Sequence, residues 1–440
     1  MNTKYPSSIL LWASVAALSG FLFGFDTAVI SGAEQAVQKL WGSNDFLHGL
    51  TISSALWGTV IGALLGGLPS DRFGRKKTLI GIGILYAVSA IGSAIAWNPD
   101  SFIFFRFIGG IGVGASSIAA PAYISEIAPR ERRGQLGALY QFMLVLGILT
   151  AFVSNYFLGG VGKNAWRWMV GVETVPAIAY LIAVFFVPES PRWLILHGIK
   201  KTLAEKTLRQ INPTGYKQEI VDISADNKSV SWGQFLTSRY SKPILLAVLI
   251  AFFNQVSGIN AIIYYAPRIL ELTGAEQSAA LLATVGIGVI NVVFTMLGVM
   301  LIDRLGRKTL MLIGTIGYII SLGMVARGFF IDLHTWTPIF IFVFAASHAV
   351  GQGTVIWVYV SEIFPNNVRT KGQALGCGTL WVMAAILTLF MPVLLSSINP
   401  WMIFGFFMVM MVFQLIYVAA YMVESKSKSL EILSAELLKP

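Results

Sequence analysis

The chain of 440 residues is 56% hydrophobic and only 12% charged, and this excludes an ordinary soluble protein, which is typically about 25% charged. The formal net charge of +10 does not indicate a nucleic-acid partner, because the basic residues fall in short segments between long apolar stretches, where membrane topology explains them. The single cysteine, Cys377, excludes an intramolecular disulfide, and the four scattered histidines argue against a metal site.

Twelve apolar stretches, most of about 20 residues or more, are long enough to cross a bilayer as helices. They lie at 8–32, 49–69, 78–97, 101–126, 134–158, 167–187, 243–271, 278–302, 309–330, 337–362, 371–396 and 400–423. The hydrophilic segment between the sixth and seventh stretches contains Lys200–Ile211, whose apolar residues at helical spacing predict a short surface helix.

We therefore predict an all-α membrane protein with twelve transmembrane helices in two six-helix bundles and with short cytoplasmic helices. The predicted parts are an N-terminal bundle at 1–187, a cytoplasmic linker at 188–242, a C-terminal bundle at 243–423 and a cytoplasmic tail at 424–440. Most Lys and Arg residues fall in loops on one side of the bilayer, and positive residues stay cytoplasmic. Both termini are therefore expected in the cytoplasm, in a plasma (cell inner) membrane.

The two halves of the chain repeat two motifs in the same order. DRFGRKK at 71–77 matches DRLGRKT at 303–309, and a Glu followed seven residues later by Arg occurs at 126–133 and again at 362–369. A duplicated six-helix unit is typical of transporters, whose substrate site lies at the interface of the repeats near the bilayer midplane.

These motifs resemble those of the sugar porter family of the major facilitator superfamily, across essentially the whole chain. Further matches are PESPR at 188–192, QxxGIN at 255–260 with Tyr264 and Tyr265 after it, and the pattern from Trp357 to Pro365. The resemblance implies the major facilitator fold and alternating access by rocking of the halves. It also implies a sugar substrate, most often a hexose, no cofactor, and function as a monomer.

Four positions depart from the family pattern. The seventh span has Asn254-Gln255 in place of two glutamines, and the tenth has Gly353-Thr354 in place of Gly-Pro. Leu380 stands before Trp381 where Asn or Gln is common, and the final Pro-Glu-Thr appears as Val423-Glu424-Ser425. The first three lie at expected pocket positions, so they bear on which sugar is bound.

A site for a sugar needs amide side chains, which both donate and accept hydrogen bonds, and an aromatic plate against the ring. The spans supply these groups, and all but Asn254 match family sugar-contacting positions: Gln141, Asn254, Gln255, Asn260, Asn291, Trp357 and Trp381. The resemblance adds Tyr264, Gly353 and Ile148, an apolar residue common there in hexose-taking members. For any single amide, a hydrogen bond between helices is the alternative interpretation.

Asp26 lies inside the first apolar span, where an ionisable group is costly and indicates a functional site. Arg106 and Glu173 fall at a similar depth, about 9 Å inside the outer boundary, which allows contact among the three. The resemblance assigns Asp26 as the proton-carrying acid and Arg106 as its counter-charge. Glu173 either shares this role or packs helices, and a purely structural pairing of Asp26 is the alternative.

The cytoplasmic motifs are predicted to form a gate that holds that face shut by salt bridges between the halves. The alternative is that the basic residues only set topology, although acids contribute little to that. His348 is interpreted as a packing residue or as a pH sensor. The predicted gate residues are Asp71, Arg72, Arg75, Glu126, Arg133, Glu189, Arg192, Asp303, Arg304, Arg307, Glu362, Arg369 and Glu424.

The residues and the resemblance together predict a proton-coupled monosaccharide transporter whose partners are the sugar, a proton and the lipid bilayer. A passive sugar uniporter of the same fold is one alternative, and Asp26 is what favours symport over it. A membrane sugar receptor is another, although no long signalling tail follows Glu424. An enzyme is not expected, because no nucleophile or acid–base pair stands beside the predicted pocket.

Overall fold

The computed structural model describes residues 7–129, 132–199, 201–213, 215–225, 231–365, 368–426, 428, 433 and 436–438. Lys200, the first residue of the predicted surface helix, and much of the predicted tail at 424–440 lie outside the described residues. The part of the chain that is described is helical and contains no strand. This confirms the all-α prediction. A helix pairs its backbone N–H and C=O groups within its own segment, which suits a chain that crosses lipid.

The α-helices that precede residue 200 are α1 (Ser7–Trp41), α2 (Asp45–Leu65), α3 (Gly67–Phe73), α4 (Arg75–Ala94), α5 (Pro99–Ile127), α6 (Arg133–Leu158), α7 (Ala165–Gly171), α8 (Thr174–Val184) and α9 (Pro191–Leu196).

Those that follow are α10 (Lys201–Ile211), α11 (Tyr216–Ala225), α12 (Trp232–Phe235), α13 (Ser241–Val256), α14 (Ile259–Tyr264), α15 (Ala266–Glu271), α16 (Gln277–Leu305), α17 (Arg307–Phe330), α18 (Thr337–Val350), α19 (Gln352–Glu362), α20 (Arg369–Ser397) and α21 (Pro400–Ala420). A 3₁₀ turn at Ser238–Tyr240 leads into α13.

Twelve helical stretches among the described residues are long and apolar enough to cross a membrane, as predicted. Three of them are built from more than one helix: α7 with α8, α13 with α14, and α18 with α19. Gly258 breaks the second of these with a left-handed φ of +86°, a conformation that costs glycine little. The short helix α10 lies where a surface helix is predicted.

The bounds of several spans differ from the prediction. The first span is predicted to end at 32, but α1 continues to Trp41, because its polar side chains beyond Gly32 bond to neighbouring helices. The second ends at Leu65 and not at 69, since the glycines at 66 and 67 allow a separate helix, α3, to carry the first charged motif.

Two compact units can be distinguished by their internal contacts. The first comprises Met1–Asp26, Trp57–Ile148 and Val170–Lys228, and the second comprises Thr27–Leu56, Leu149–Met169 and Ser229–Pro440. These divisions fall inside α1, α2, α6 and α7, so the predicted bundles at 1–187 and 243–423 stay a prediction.

Close helix packing marks each unit. In the first unit, a Cβ on Gly24 of α1 would lie 1.9 Å from the carbonyl oxygen of Leu144 on α6. In the second, a Cβ on Gly49 of α2 would lie 1.8 Å from the carbonyl oxygen of Leu389 on α20. Glycine permits such backbone contact between membrane helices. The end of the helices beside the 42–44 turn, here called the α1–α2 end, is therefore tightly packed onto α20.

Candidate functional site

The predicted acid Asp26 forms a buried ion pair with Arg106. Asp26 on α1 and Arg106 on α5 are each only 2% exposed. The Nη1 of Arg106 donates to the Asp26 carboxylate, and its Nη2 donates to the Asp26 backbone oxygen at 3.0 Å. The structure thus brings together two of the three residues that were predicted to lie at one depth.

Glu173 completes this group, here called the Asp26 cluster. It precedes α8, is 2% exposed, and lies close enough to the Asp26 carboxyl group for the two to interact electrostatically. Gly109 leaves room beside it, since a Cβ there would lie 2.2 Å from the Ser89 hydroxyl and 3.8 Å from Asp26 Oδ1. The Ser89 hydroxyl has no hydrogen-bond partner among the described residues. Two carboxyl groups and one guanidinium therefore share one buried polar site.

The first charged motif forms the Arg75 ring, which consists of Asp71, Arg75, Glu126 and Glu189. Arg75 Nη2 donates to Glu126 at 2.9 Å and Nη1 to Asp71 at 2.9 Å. Glu189 accepts the backbone N–H groups of Arg75 at 2.8 Å and Lys76 at 3.0 Å, so it caps the positive end of α4. All of these residues belong to the first unit.

The second copy of the motif forms the Arg307 ring, which consists of Asp303, Arg307, Glu362 and Glu424. Arg307 Nη2 donates to Glu362 at 2.8 Å and Nη1 to Asp303 at 3.0 Å. Glu424 accepts the N–H groups of Arg307 at 2.9 Å and Lys308 at 3.0 Å. Partial burial raises the pKa of Glu424, but the backbone N–H donors outweigh it and hold that pKa below its usual value.

Three predicted sugar contacts form a chain of amides across the break in the seventh span. Asn260 Nδ2 on α14 donates to Gln255 Oε1 at 2.9 Å, and Gln255 Nε2 on α13 donates to Asn254 Oδ1 at 2.8 Å. Asn254 and Gln255 are 4% and 2% exposed. The two ends of the Gln255 amide are thereby oriented, while one N–H of Gln255, one of Asn260 and both of Asn254 are not used in this chain of bonds.

Comparison with known proteins identifies the chain. The family described as "Sugar (and other) transporter" matches residues 12–437. The chain belongs to the sugar porter family. Its fold is that of the major facilitator superfamily, and it is a transporter and not an enzyme.

The transporter is similar over nearly its whole length to several named transporters. It is 36% identical to the arabinose-proton symporter of Bacillus subtilis, over 96% of this chain and 94% of that one. It is 35% identical to the glucose transport protein of Synechocystis, over 98% and 97% of the two chains. A partially occluded inward-open structure of the xylose transporter XylE from E. coli aligns with a TM-score of 0.86, at 32% identity over 96% and 100% of the two chains.

The remaining predicted sugar contacts of the transporter lie in both compact units. Gln141 and Ile148 belong to the first unit, and Ile148 is buried. The others belong to the second unit: Tyr264, Asn291, Gly353, Trp357 and Trp381. Asn291 accepts from Thr295 Oγ1 at 3.3 Å. Their role as sugar contacts stays a prediction.

The remaining predicted gate residues are Arg72, Arg133, Arg192, Arg304 and Arg369. Arg72 stacks over the Phe73 ring at 5.4 Å, and Arg304 accepts a bond from Lys426 through its carbonyl oxygen. Arg133 and Arg369 are the first residues of α6 and α20, and Arg192 lies in α9. Since the contacts of each ring lie within one unit, the predicted gate between the halves of the transporter stays a prediction.

Sequence reasoning left the role of one histidine open and missed another. His348 bonds through Nδ1 to the Tyr318 hydroxyl, which supports the packing interpretation. Glu34 and His48 were missed, although both are 0% exposed and form a pair of their own. The sequence signal that could have indicated this pair is an acid before, and a histidine after, the turn between the first two spans. The described residues contain no group of three side chains that could hold a metal ion.

Proposed function

We propose that this transporter carries a monosaccharide across the inner membrane together with a proton. The observation that carries the proposal is the Asp26 cluster, in which Asp26 pairs with Arg106 and a second buried carboxyl group, Glu173, lies close enough to feel both charges. Such a buried group is electrically neutral only when one carboxyl holds a proton, and uncompensated charge is costly there. The cluster is thus suited to take up and release one proton.

Coupling requires that the proton site change between the two states of an alternating-access cycle. Asp26 on α1, Arg106 on α5 and Glu173 in the turn before α8 lie on three different segments, so a small movement of one helix changes their spacing. A more distant Arg106 favours the protonated form of Asp26, and a closer one favours the carboxylate. This is how we expect proton binding to follow the conformation of the protein.

The proposed sugar site is built around the amide chain of Asn254, Gln255 and Asn260. Their free N–H groups and oxygens suit sugar hydroxyls, and Trp357 offers an aromatic face for the ring. Arabinose, xylose and glucose appear in the names of relatives, which supports a monosaccharide. Within that class we propose a hexose, and we place both termini in the cytoplasm from the charge of the loops.

Uptake by proteoliposomes tests the proposal. The purified parent chain should accumulate one member of a panel of pentoses and hexoses only when an inward pH gradient is imposed. Asp26→Asn should lose accumulation but retain counterflow exchange, because exchange returns the loaded carrier without proton release. Asp332→Asn, at a carboxylate that is 95% exposed, is the control and should behave as the parent.

Two results would contradict the proposal. Full accumulation by Asp26→Asn would remove Asp26 as the coupling acid. Uptake by the parent that ignores the pH gradient would identify a passive uniporter instead. A structural ion pair predicts a third pattern, in which Asp26→Asn loses stability and all transport modes together.

A further inference from the structure

A second buried ionisable group lies at the α1–α2 end, in the second compact unit. We call it the Glu34 cluster; its members lie on α1, α2 and α15 and are Glu34, Gln35, Gln38, Asp45, His48, Arg268 and Glu271. Glu34 and His48 are each 0% exposed. None of these residues belongs to the Asp26 cluster, to the rings or to the amide chain.

Two cationic or potentially cationic groups meet at one oxygen in this cluster. His48 Nε2 on α2 lies 2.8 Å from Glu34 Oε2 on α1, and Arg268 Nη1 on α15 lies 3.5 Å from the same oxygen. Arg268 also donates to Gln38 Oε1 at 3.0 Å. Arg268 therefore holds α15 to α1 by one charge interaction and one hydrogen bond.

Weaker links surround this contact. Gln35 Nε2 donates to Glu271 at 2.8 Å, and Gln38 Nε2 donates to Asp45 at 2.9 Å. Each acid is thus bonded to a neutral amide, whereas Glu34 is shared between His48 and Arg268.

The charged surroundings of His48 are limited to these groups and one phenol. Tyr265, which precedes α15, faces Glu34 and donates its hydroxyl to the Thr388 oxygen at 3.0 Å. The helices α6 and α20 also pack here, and their stretches 134–158 and 372–397 contain no charged residue. Lys39 on α1 is exposed. The charge on His48 is therefore felt by Glu34, by Arg268 and, to a smaller extent, by Asp45.

Histidine is the side chain that commonly changes charge between about pH 5 and 8. With His48 neutral, its Nε2–H donates to Glu34, and the full negative charge of Glu34 attracts Arg268. With His48 protonated, the positive charge on α2 neutralises Glu34 and repels Arg268, which shares the same oxygen. The protonated pair of Glu34 and His48 is electrically neutral without Arg268, so α15 loses its charge interaction with α1 and keeps only the hydrogen bonds to Gln35 and Gln38.

We infer that Glu34 and His48 form a second proton-binding site, separate from the Asp26 cluster, and that a proton bound there releases α15 from the α1–α2 end. Glu34 Oε1 and His48 Nδ1 have no hydrogen-bond partner among the described residues, so the pair has unused bonding capacity. Protonation of the pair is favoured once the α1–α2 end opens and Arg268 moves away. By thermodynamic linkage, acid therefore favours the open form of this end. The inference does not rest on the proposed transport of sugar.

Distance measurements between spin labels test this directly. Labels on Lys39→Cys and Leu272→Cys, two exposed positions on α1 and after α15, report the spacing in detergent without sugar or gradient. Cys377→Ala removes the native thiol, and Asp26→Asn removes the first proton site. In this background the long-distance population should rise severalfold as the pH falls from about 8 to about 5.

Variants of the Glu34 cluster should separate the role of His48, which binds the proton, from that of Arg268, which holds α15. His48→Gln keeps an N–H donor to Glu34 but cannot become charged, so the spacing should stay short at every pH. Arg268→Gln removes the competing cation and should give the long spacing at every pH. His334→Gln is the matched control, because His334 also pairs with a carboxylate, Asp332 at 3.1 Å, but at an exposed turn. It should retain the full pH response.

Three outcomes would overturn the inference: a pH response that survives in His48→Gln, no response in the Asp26→Asn background, or a shift toward shorter spacing in acid. If His48→Gln is unfolded by size-exclusion chromatography, a pH response retained by Arg268→Gln contradicts the inference and its loss supports it. Accumulation of sugar by Asp26→Asn would defeat the proposed function and leave this result standing.

Discussion

The Arg75 ring and the Arg307 ring are two copies of one arrangement, and they differ at their margins. In both, an arginine that begins a helix joins a glutamate of the repeated motif, and a second glutamate caps the helix. Glu126 is 10% exposed, whereas Glu362 is 23% exposed and also accepts from Ser425 Oγ at 2.6 Å. The Arg75 ring is therefore drier around its ion pair and depends more on its arginine.

In both rings, the aspartate of the motif forms the most exposed ion pair. The Asp71 and Asp303 side chains are 75% and 82% exposed, although each lies about 3 Å from its arginine. Water screens such pairs, so distance alone overstates their importance. The comparison shows that the contribution of each ring member to stability depends on its burial and on helix capping more than on the number of charges.

The largest effect is expected for the arginines. Arg75→Met should lower the free energy of unfolding by about 3 kcal/mol, because Glu126 then loses its charged partner in a partly buried site, whereas the backbone bonds of Glu189 are kept. Arg307→Met should cost about 1–2 kcal/mol, since Glu362 is more hydrated and keeps Ser425. Denaturant unfolding of the purified proteins measures both. Equal losses would mean that the difference in exposure between the rings has no energetic consequence.

A smaller and equal effect is expected at the glycines that immediately precede α4 and α17. Gly74 and Gly306 have φ of +96° and +95°, and a Cβ would lie 2.3 Å from Glu189 and 2.5 Å from Glu424. Alanine at either position should cost about 1–2 kcal/mol through backbone strain and displacement of the capping carboxylate. Gly81→Ala, on α4 with open space around it, is the control and should be neutral or stabilising.

The smallest effect is expected for the exposed acids. Asp71→Asn and Asp303→Asn should each change the free energy of unfolding by less than about 0.5 kcal/mol, because screened surface pairs contribute little. The same denaturant titration measures this. A loss above 1 kcal/mol in only one ring would show that its aspartate acts beyond the contact with its own arginine.

Sequence reasoning predicted the repeated parts of the molecule well. The twelve spans follow from apolar length, and the rings lie where DRFGRKK and DRLGRKT repeat, since both signals are local. The breaks within spans were not predicted, because one glycine such as Gly258 has the same hydropathy whether a helix bends or continues. The contact of Glu34 with Arg268 joins residues far apart in the chain and occurs once, so neither periodicity nor repetition indicates it.

The break at Gly258 gives the seventh span a separable segment. The segment runs from Gly258 to Gly274, both with positive φ, and contains the adjoining helices α14 and α15. Asn260 of the amide chain and Arg268 of the Glu34 cluster are both on it. Laboratory evolution toward a new sugar that changes this segment would therefore be expected to alter turnover along with preference, and selections scored on affinity alone would enrich slow carriers.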